Sequence, residues 1–156
     1  MAINLELEKL YYDDVKEREI LDFNNEEEVG VIEQRTVDRI DRVNQLLTTQ
    51  TIDLTEIWNL HYLAYLFQHS KRDSDYALAY EFAKKAVEKG SRVTRWLYAA
   101  TLDRWLLSQG KSQHFGTQYK FDNQNWIPQP VDEHTTDQER KEYGVKSLSE
   151  YLSGKI

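Results

Sequence analysis

The chain predicts an all-α fold: stacked antiparallel helical hairpins, tetratricopeptide-like or an irregular helical bundle, with a long C-terminal loop and short terminal helices. Three observations carry this expectation. Apolar residues recur at helical spacing, as in Val37, Ile40, Val43 and Leu47. The two prolines, Pro128 and Pro130, both fall late, so neither breaks the first hundred residues. Gly90 and Gly110 stand where two helical patterns run out, the usual place for a helix stop. A length of 156 residues fits one domain, able to bury about 70% of the surface its unfolded chain exposes. Residues 1–110 form its helical body, and 111–156 a loop with short helices wrapping back.

"LELEKLYYDDVKERE" reads as a first amphipathic helix and "LDFNNEEEVG" as a polar break. "VIEQRTVDRIDRVNQLLTTQ" is the second helix, with the Val37–Leu47 face inward. Asp53 and Glu56 form a D-x-x-E start signal for a third, running through Trp58, Leu63 and Phe67. A fourth begins near Ser74 and stops at Gly90, its stripe Tyr76, Ala79, Ala83, Ala86 and Val87 letting a neighbour approach closely. A fifth runs from about Arg92 to Gln109, carrying Trp96, Ala99, Ala100 and Leu107. Beyond Gly110 the text is loop-like to residue 135, with "YKFDNQNW" as a short strand or hairpin. "TDQE" from Thr136 and "SLSE" from Ser147 then start two short helices.

Composition excludes several classes. With no cysteine there is neither a disulfide framework nor thiol chemistry. "MAINLELEKL" has neither the basic start nor the apolar run of an export signal, and the longest apolar run, Tyr62–Phe67, is far too short to span a bilayer. A soluble, cytoplasmic protein without membrane contact is expected. The net charge of −7 argues against nucleic acid as a partner, since phosphate binding needs basic side chains. That charge is unevenly spread. Residues 1–41 hold 13 Asp/Glu against 5 Lys/Arg, and residues 71–111 hold 9 Lys/Arg against 5 Asp/Glu. No metal or cofactor is expected: His61 and His69 lie eight residues apart, about 12 Å along a helix, and cannot share an ion.

Few residues look chemically active. Asp103 and Arg104 sit in "LDRWL" on the fifth helix, where a buried charge must be paired. Arg104 either clamps an anionic group with its planar fork, or joins Asp103 in tying down the following loop. In "QHFGTQ", Gln113 and Gln118 can read an amide or base edge, or satisfy the loop's own backbone. His69 in "FQHS" is placed either as a general base or as a cap for its helix. The aromatics Tyr62, Tyr65, Tyr76, Tyr80, Trp96 and Trp105 read as packing material rather than a stacking platform.

The segments "QHS", "DYALAYEFAKKAVEKG", "RWLYAATLDRWLLSQGKSQHFGTQ", "PVDEHTTDQERKEYGV" and "SLSEYL" together resemble a bacterial domain-of-unknown-function family (series number six-six-two-four). Its marks are a QH pair, a W/Y-L-x-x-x-x-D-R segment, a Q-x-(F/Y)-G-T-Q loop, P-V-D and a late arginine. "LYYDDVKER" stands at its D-Q-x-x-R, with Val15 at the glutamine position; Ser70 replaces a glycine and Ser112 a proline. The resemblance implies that Gln68, His69, Asp103, Arg104, Gln113, Gly116, Thr117, Gln118, Asp132 and Arg140 are the family-like positions, and it implies no reaction. Two functions follow as expectations. One is a binding module that takes a protein, a peptide or a small polar ligand through Gln68, Arg104, Gln113, Thr117 and Gln118. The other is a small enzyme, of hydrolase or transferase type, with His69, Asp103 and Arg104 at a polar site completed by Gln113 and Gln118.

Overall fold

The computed structural model describes residues 2–156. The chain is predominantly helical, at 58% of residues, with one small two-stranded sheet. Helices α1 (Leu5–Glu19), α2 (Glu26–Thr48), α3 (Ile57–Phe67), α4 (Asp73–Glu88) and α5 (Arg95–Ser108) form the body. Strands β1 (Tyr119–Asp122) and β2 (Asn125–Pro128) follow, then α6 (Asp137–Glu142) and α7 (Leu148–Leu152). Among the described residues no helix is long and apolar enough to cross a membrane.

α3 is the centre because it is apolar nearly all round; Leu60, Tyr62, Leu63, Ala64, Leu66 and Phe67 are all buried. α4 lies against it through Ala79, Ala83 and Ala86, each fully buried, and α5 packs on α4 in turn. Small side chains there let the helix axes approach. α1 and α2 cover the remaining side of α3. The N-terminus is pinned by fully buried Asn59, whose Oδ1 accepts from Asn4 N at 2.8 Å while its Nδ2 donates to Asp53 O and Ala2 O. α4 and α5 stop in the same way: Ser91 N–H reaches back to Ala86 O and Lys111 N–H to Leu106 O, the Schellman closure placed around Gly90 and Gly110.

Several expectations are corrected. The polar break is shorter than its composition suggests, because α2 begins at Glu26. Asn25 Oδ1 caps Glu27 and Glu28, and three glutamates face the positive end of the helix dipole. Asp53 does not cap α3; it closes a turn on Thr55, and Glu56 accepts from Trp58 N instead. The buried stripe of α2 runs through Ile32, Thr36, Arg39, Ile40, Val43 and Leu46, and Val37 is 52% exposed. Trp96 is likewise exposed at 48%. The "YKFDNQNW" segment is a hairpin, its turn at Asn123 and Gln124 with φ of 46° and 65°, the primed-turn geometry that matches strand twist.

Replacing Asn59 with leucine removes the acceptor of Asn4 N–H and the donor to the Ala2 carbonyl, and takes one donor from the Asp53 carbonyl, which still accepts from Glu56 N–H. We expect a loss of about 2–3 kcal/mol in urea unfolding; an unchanged midpoint would mean that the N-terminal segment is not anchored there.

Candidate functional site

A cavity of about 590 Å³ opens where α1 and α2 meet the α3–α4 loop and α5, a size ordinary for ligand pockets. Its foundation is Asp14, a carboxylate only 1% exposed on α1. Arg18, one turn on, donates from Nε to Asp14 Oδ2 at 2.6 Å. Arg39 of α2 donates to Oδ1 at 2.9 Å and also reaches Glu17 at 2.5 Å. His69 Nδ1 lies 3.0 Å from Asp14 Oδ2 without the angle of a hydrogen bond. Arg18 also donates to Thr36 Oγ1, whose hydroxyl bonds Ile32 O, so α1 is tied to α2 across the cavity floor.

These contacts set the charge states. Burial pushes the Asp14 carboxyl up, but His69 and Arg18 outweigh it and bring the pKa down to about 2. Burial drives His69 down to about 4, with the Arg18 and Arg104 cations adding to the effect and Asp14 opposing it. At neutral pH Asp14 is therefore charged and His69 is not. The α3–α4 loop that carries His69 is held by Ser70, whose Oγ donates to buried Asp75 at 2.6 Å; Arg72 meets the same carboxylate at 2.8 Å. Ser70 thus ties the loop down where a glycine would leave it loose.

Arg104 enters this cavity from α5, with Tyr76 and His69 beside it. Its Nε is sealed from solvent with no hydrogen-bond partner, and the side chain makes no ion pair among the described residues. Burial lowers its pKa from the ordinary 12.5, with Tyr76 opposing and Arg18 adding to the fall. A guanidinium in that position lacks the anion that would normally compensate its desolvation.

Asp103, the preceding residue, points elsewhere, since successive helical positions turn by about 100°. Fully buried, it accepts from the backbone N–H groups of His114, Phe115, Gly116 and Thr117 and from Thr117 Oγ1, at 2.8–3.0 Å. Burial raises its pKa, and those donors pull the other way. The loop can wrap a carboxylate this tightly because Gly116 has φ +91° and no Cβ; one would lie 3.1 Å from the Tyr151 ring. Gln113, fully buried, accepts from Thr117 N and Gln118 N and donates to the Tyr151 hydroxyl at 2.8 Å. Gln118 Nε2 turns inward to Thr117 Oγ1. Arg140 completes the knot by donating to the carbonyls of Phe115, Thr135 and Asp132.

The single site expected from the sequence is therefore two separate structures. His69 and Arg104 share the cavity. Asp103, Gln113, Thr117 and Gln118 do not line it; their polar atoms close an internal lock on the other side of α5. Gln68 is buried at the C-cap of α3 and does not line the cavity either. The residues that sequence reasoning missed are Asp14, Arg18, Thr36, Arg39 and Tyr76. Asp14 and Arg18 stand at the D and R of the D-Q-x-x-R mark, a spacing that sets both on one helix face, but the expected site did not include them.

Among the described residues no group of three His, Asp or Glu side chains is placed to hold a metal ion. Comparison with protein-family models, with curated proteins and with solved structures finds no match to the chain. The resemblance drawn above thus stands on its motifs alone.

Two predictions follow from the opposite electrostatics of these two centres. An amide at Asp103 would present an NH₂ to donors that need an acceptor. Asp103→Asn should cost about 2–4 kcal/mol in chemical unfolding, and a neutral result would mean that the loop does not depend on this carboxylate. His69 has its folded pKa depressed from 6.5 to about 4, so the unfolded chain binds that proton first. Stability must fall as pH drops through this window, by about 1.4 kcal/mol per pH unit for one proton. Asp14, depressed from 3.8 to about 2, adds a further loss as pH falls below 3.8. Half-buried His61, also lowered by desolvation, acts in the same direction as His69. His69→Asn should remove one proton's share of the slope between pH 6.5 and 4, read from urea midpoints across that range; an unchanged slope would place His69 in solvent-like surroundings.

Proposed function

We propose that the chain is a helical binding module whose cavity receives a carboxylate of a peptide or small polar ligand, with Arg104 as the anion clamp. The observation that carries this reading is the unpaired guanidinium of Arg104 inside a formed cavity. The planar fork of arginine suits a carboxylate held by two parallel hydrogen bonds. Charge bookkeeping favours a monoanion. Arg18, Lys71 and Arg72 each have a carboxylate partner and His69 is neutral, so Arg104 is the one lining cation left for a ligand's single negative charge to match. A phosphate dianion would overshoot it.

The wider setting supports recognition more than catalysis. The consecutive packing of α3, α4 and α5 suits a repeat-like, tetratricopeptide-type stack, the sort of soluble cytoplasmic scaffold that presents a pocket between helices. The enzyme reading has less support, because Asp103, Gln113 and Gln118 are engaged in the loop lock and leave His69 and Arg104 without them.

The test turns on a trade-off. A cation kept unpaired for a ligand is a cost to the empty protein, so Arg104→Met should abolish carboxylate binding and raise stability by about 1 kcal/mol. Chemical-shift titration with hexanoate and with inorganic phosphate gives the first readout, and thermal unfolding gives the second. Binding of phosphate in preference to hexanoate, or a destabilised Arg104→Met that still binds hexanoate, would overturn the assignment.

A further inference from the structure

The charges around the cavity pair off almost completely. Arg18 is matched by Asp14 at 2.6 Å, Lys71 by Glu33 at 2.5 Å and Arg72 by Asp75 at 2.8 Å. Two lining side chains remain over, one of each sign: Arg104 from α5 and Asp41 from α2. Neither makes an ion pair among the described residues, and they stand too far apart to make one with each other. Val37 and Ile40, on the same helix as Asp41, add apolar lining to the same cavity. Val37 is half exposed despite its apolar character, which suits a side chain waiting to be covered.

The geometry points to a zwitterionic ligand, an amino-carboxylate whose carboxylate meets Arg104, whose ammonium meets Asp41, and whose methylenes lie along Val37 and Ile40. This inference rests on the carboxylate reading of Arg104 and adds to it the identity of the second end. The two charges have unequal weight. Arg104 is desolvated, so its partner contributes most of the affinity. Asp41 is exposed, and an ion pair there is worth only a few-fold. Asp41 therefore sets selectivity between a monocarboxylate and an amino-carboxylate of the same length, while Arg104 decides whether either binds.

The separation of the two groups is tested with a length series. β-Alanine, 4-aminobutyrate, 5-aminopentanoate and 6-aminohexanoate are titrated against propionate, butyrate, pentanoate and hexanoate, using the full chain and chemical-shift readout. At one or more lengths the amino-carboxylate should bind about two- to fivefold tighter than its plain counterpart. Asp41→Asn should erase that advantage and leave monocarboxylate affinity unchanged; the exposed position keeps the fold out of the comparison. Arg104→Gln should weaken both series together. Monocarboxylates binding as well as amino-carboxylates at every length would overturn the zwitterion and leave the carboxylate clamp standing. An advantage that survives Asp41→Asn would do the same. Failure of both series to bind would overturn the clamp as well.

Discussion

The charge on Asp14 organises the face of the molecule that holds the cavity. A carboxylate 1% exposed is tolerable only with cations and donors around it. Those come from two elements, Arg18 from its own helix and Arg39 from α2, with neutral His69 of the α3–α4 loop 3.0 Å away. Meeting that demand fixes how α1 and α2 sit on the central helix. It also fixes which way the arginines point, and hence where the cavity lies. Once Asp14 has taken Arg18 and Arg39, and Asp75 has taken Arg72, no buried carboxylate remains for Arg104. That Arg104 has no ion-pair partner thus follows from how the other charges are satisfied.

A further buried carboxylate, Asp103, solves the same desolvation problem by another route. It has no cation partner in contact; it collects four backbone N–H groups and one hydroxyl from a single loop. Backbone donors are rigid and short-ranged, so this arrangement determines the loop's path residue by residue. The ion pairs at Asp14 join helices, whereas the amides at Asp103 shape a connection. Because Asp103 and Arg104 are adjacent on α5, the lock also fixes the rotation of α5, which aims Arg104 at the cavity. A loop with no atom in the pocket thereby governs the pocket's key side chain.

The sequence made the helices legible because apolar spacing, glycine stops and capping boxes are local signals. Ser147 with Glu150 is one such box and is present as expected. The start of α2 was harder, because Asn25 and three glutamates look like a polar break until the cap and helix dipole are considered together. The site was less legible for a physical reason. Asp14 and Arg39 carry charges that any amphipathic helix would place in solvent, and only a contact across 25 residues turns them inward. Asp103 and Arg104 read as a pair because they are neighbours in the chain, although the helical turn of about 100° sends them to different faces. Sequence adjacency grouped what the fold separates, and sequence distance hid what it joins.

The chemistry of the empty cavity follows from the same constraint. Neutral His69 and unpaired Arg104 are each held at an electrostatic disadvantage, one by burial beside cations and the other by burial without an anion. An arriving carboxylate would relieve both, since it pairs the guanidinium and supplies a negative charge near the imidazole. Binding an anion here should therefore raise the pKa of His69 toward its ordinary value and take up a fraction of a proton on mildly acid titration. Asp41 at the exposed rim contributes nothing to this coupling, because solvent screens it from the buried pair. On the proposed reading, affinity would come from the desolvated floor and selectivity from the wet rim, a division that arises from where the fold leaves each charge unmatched.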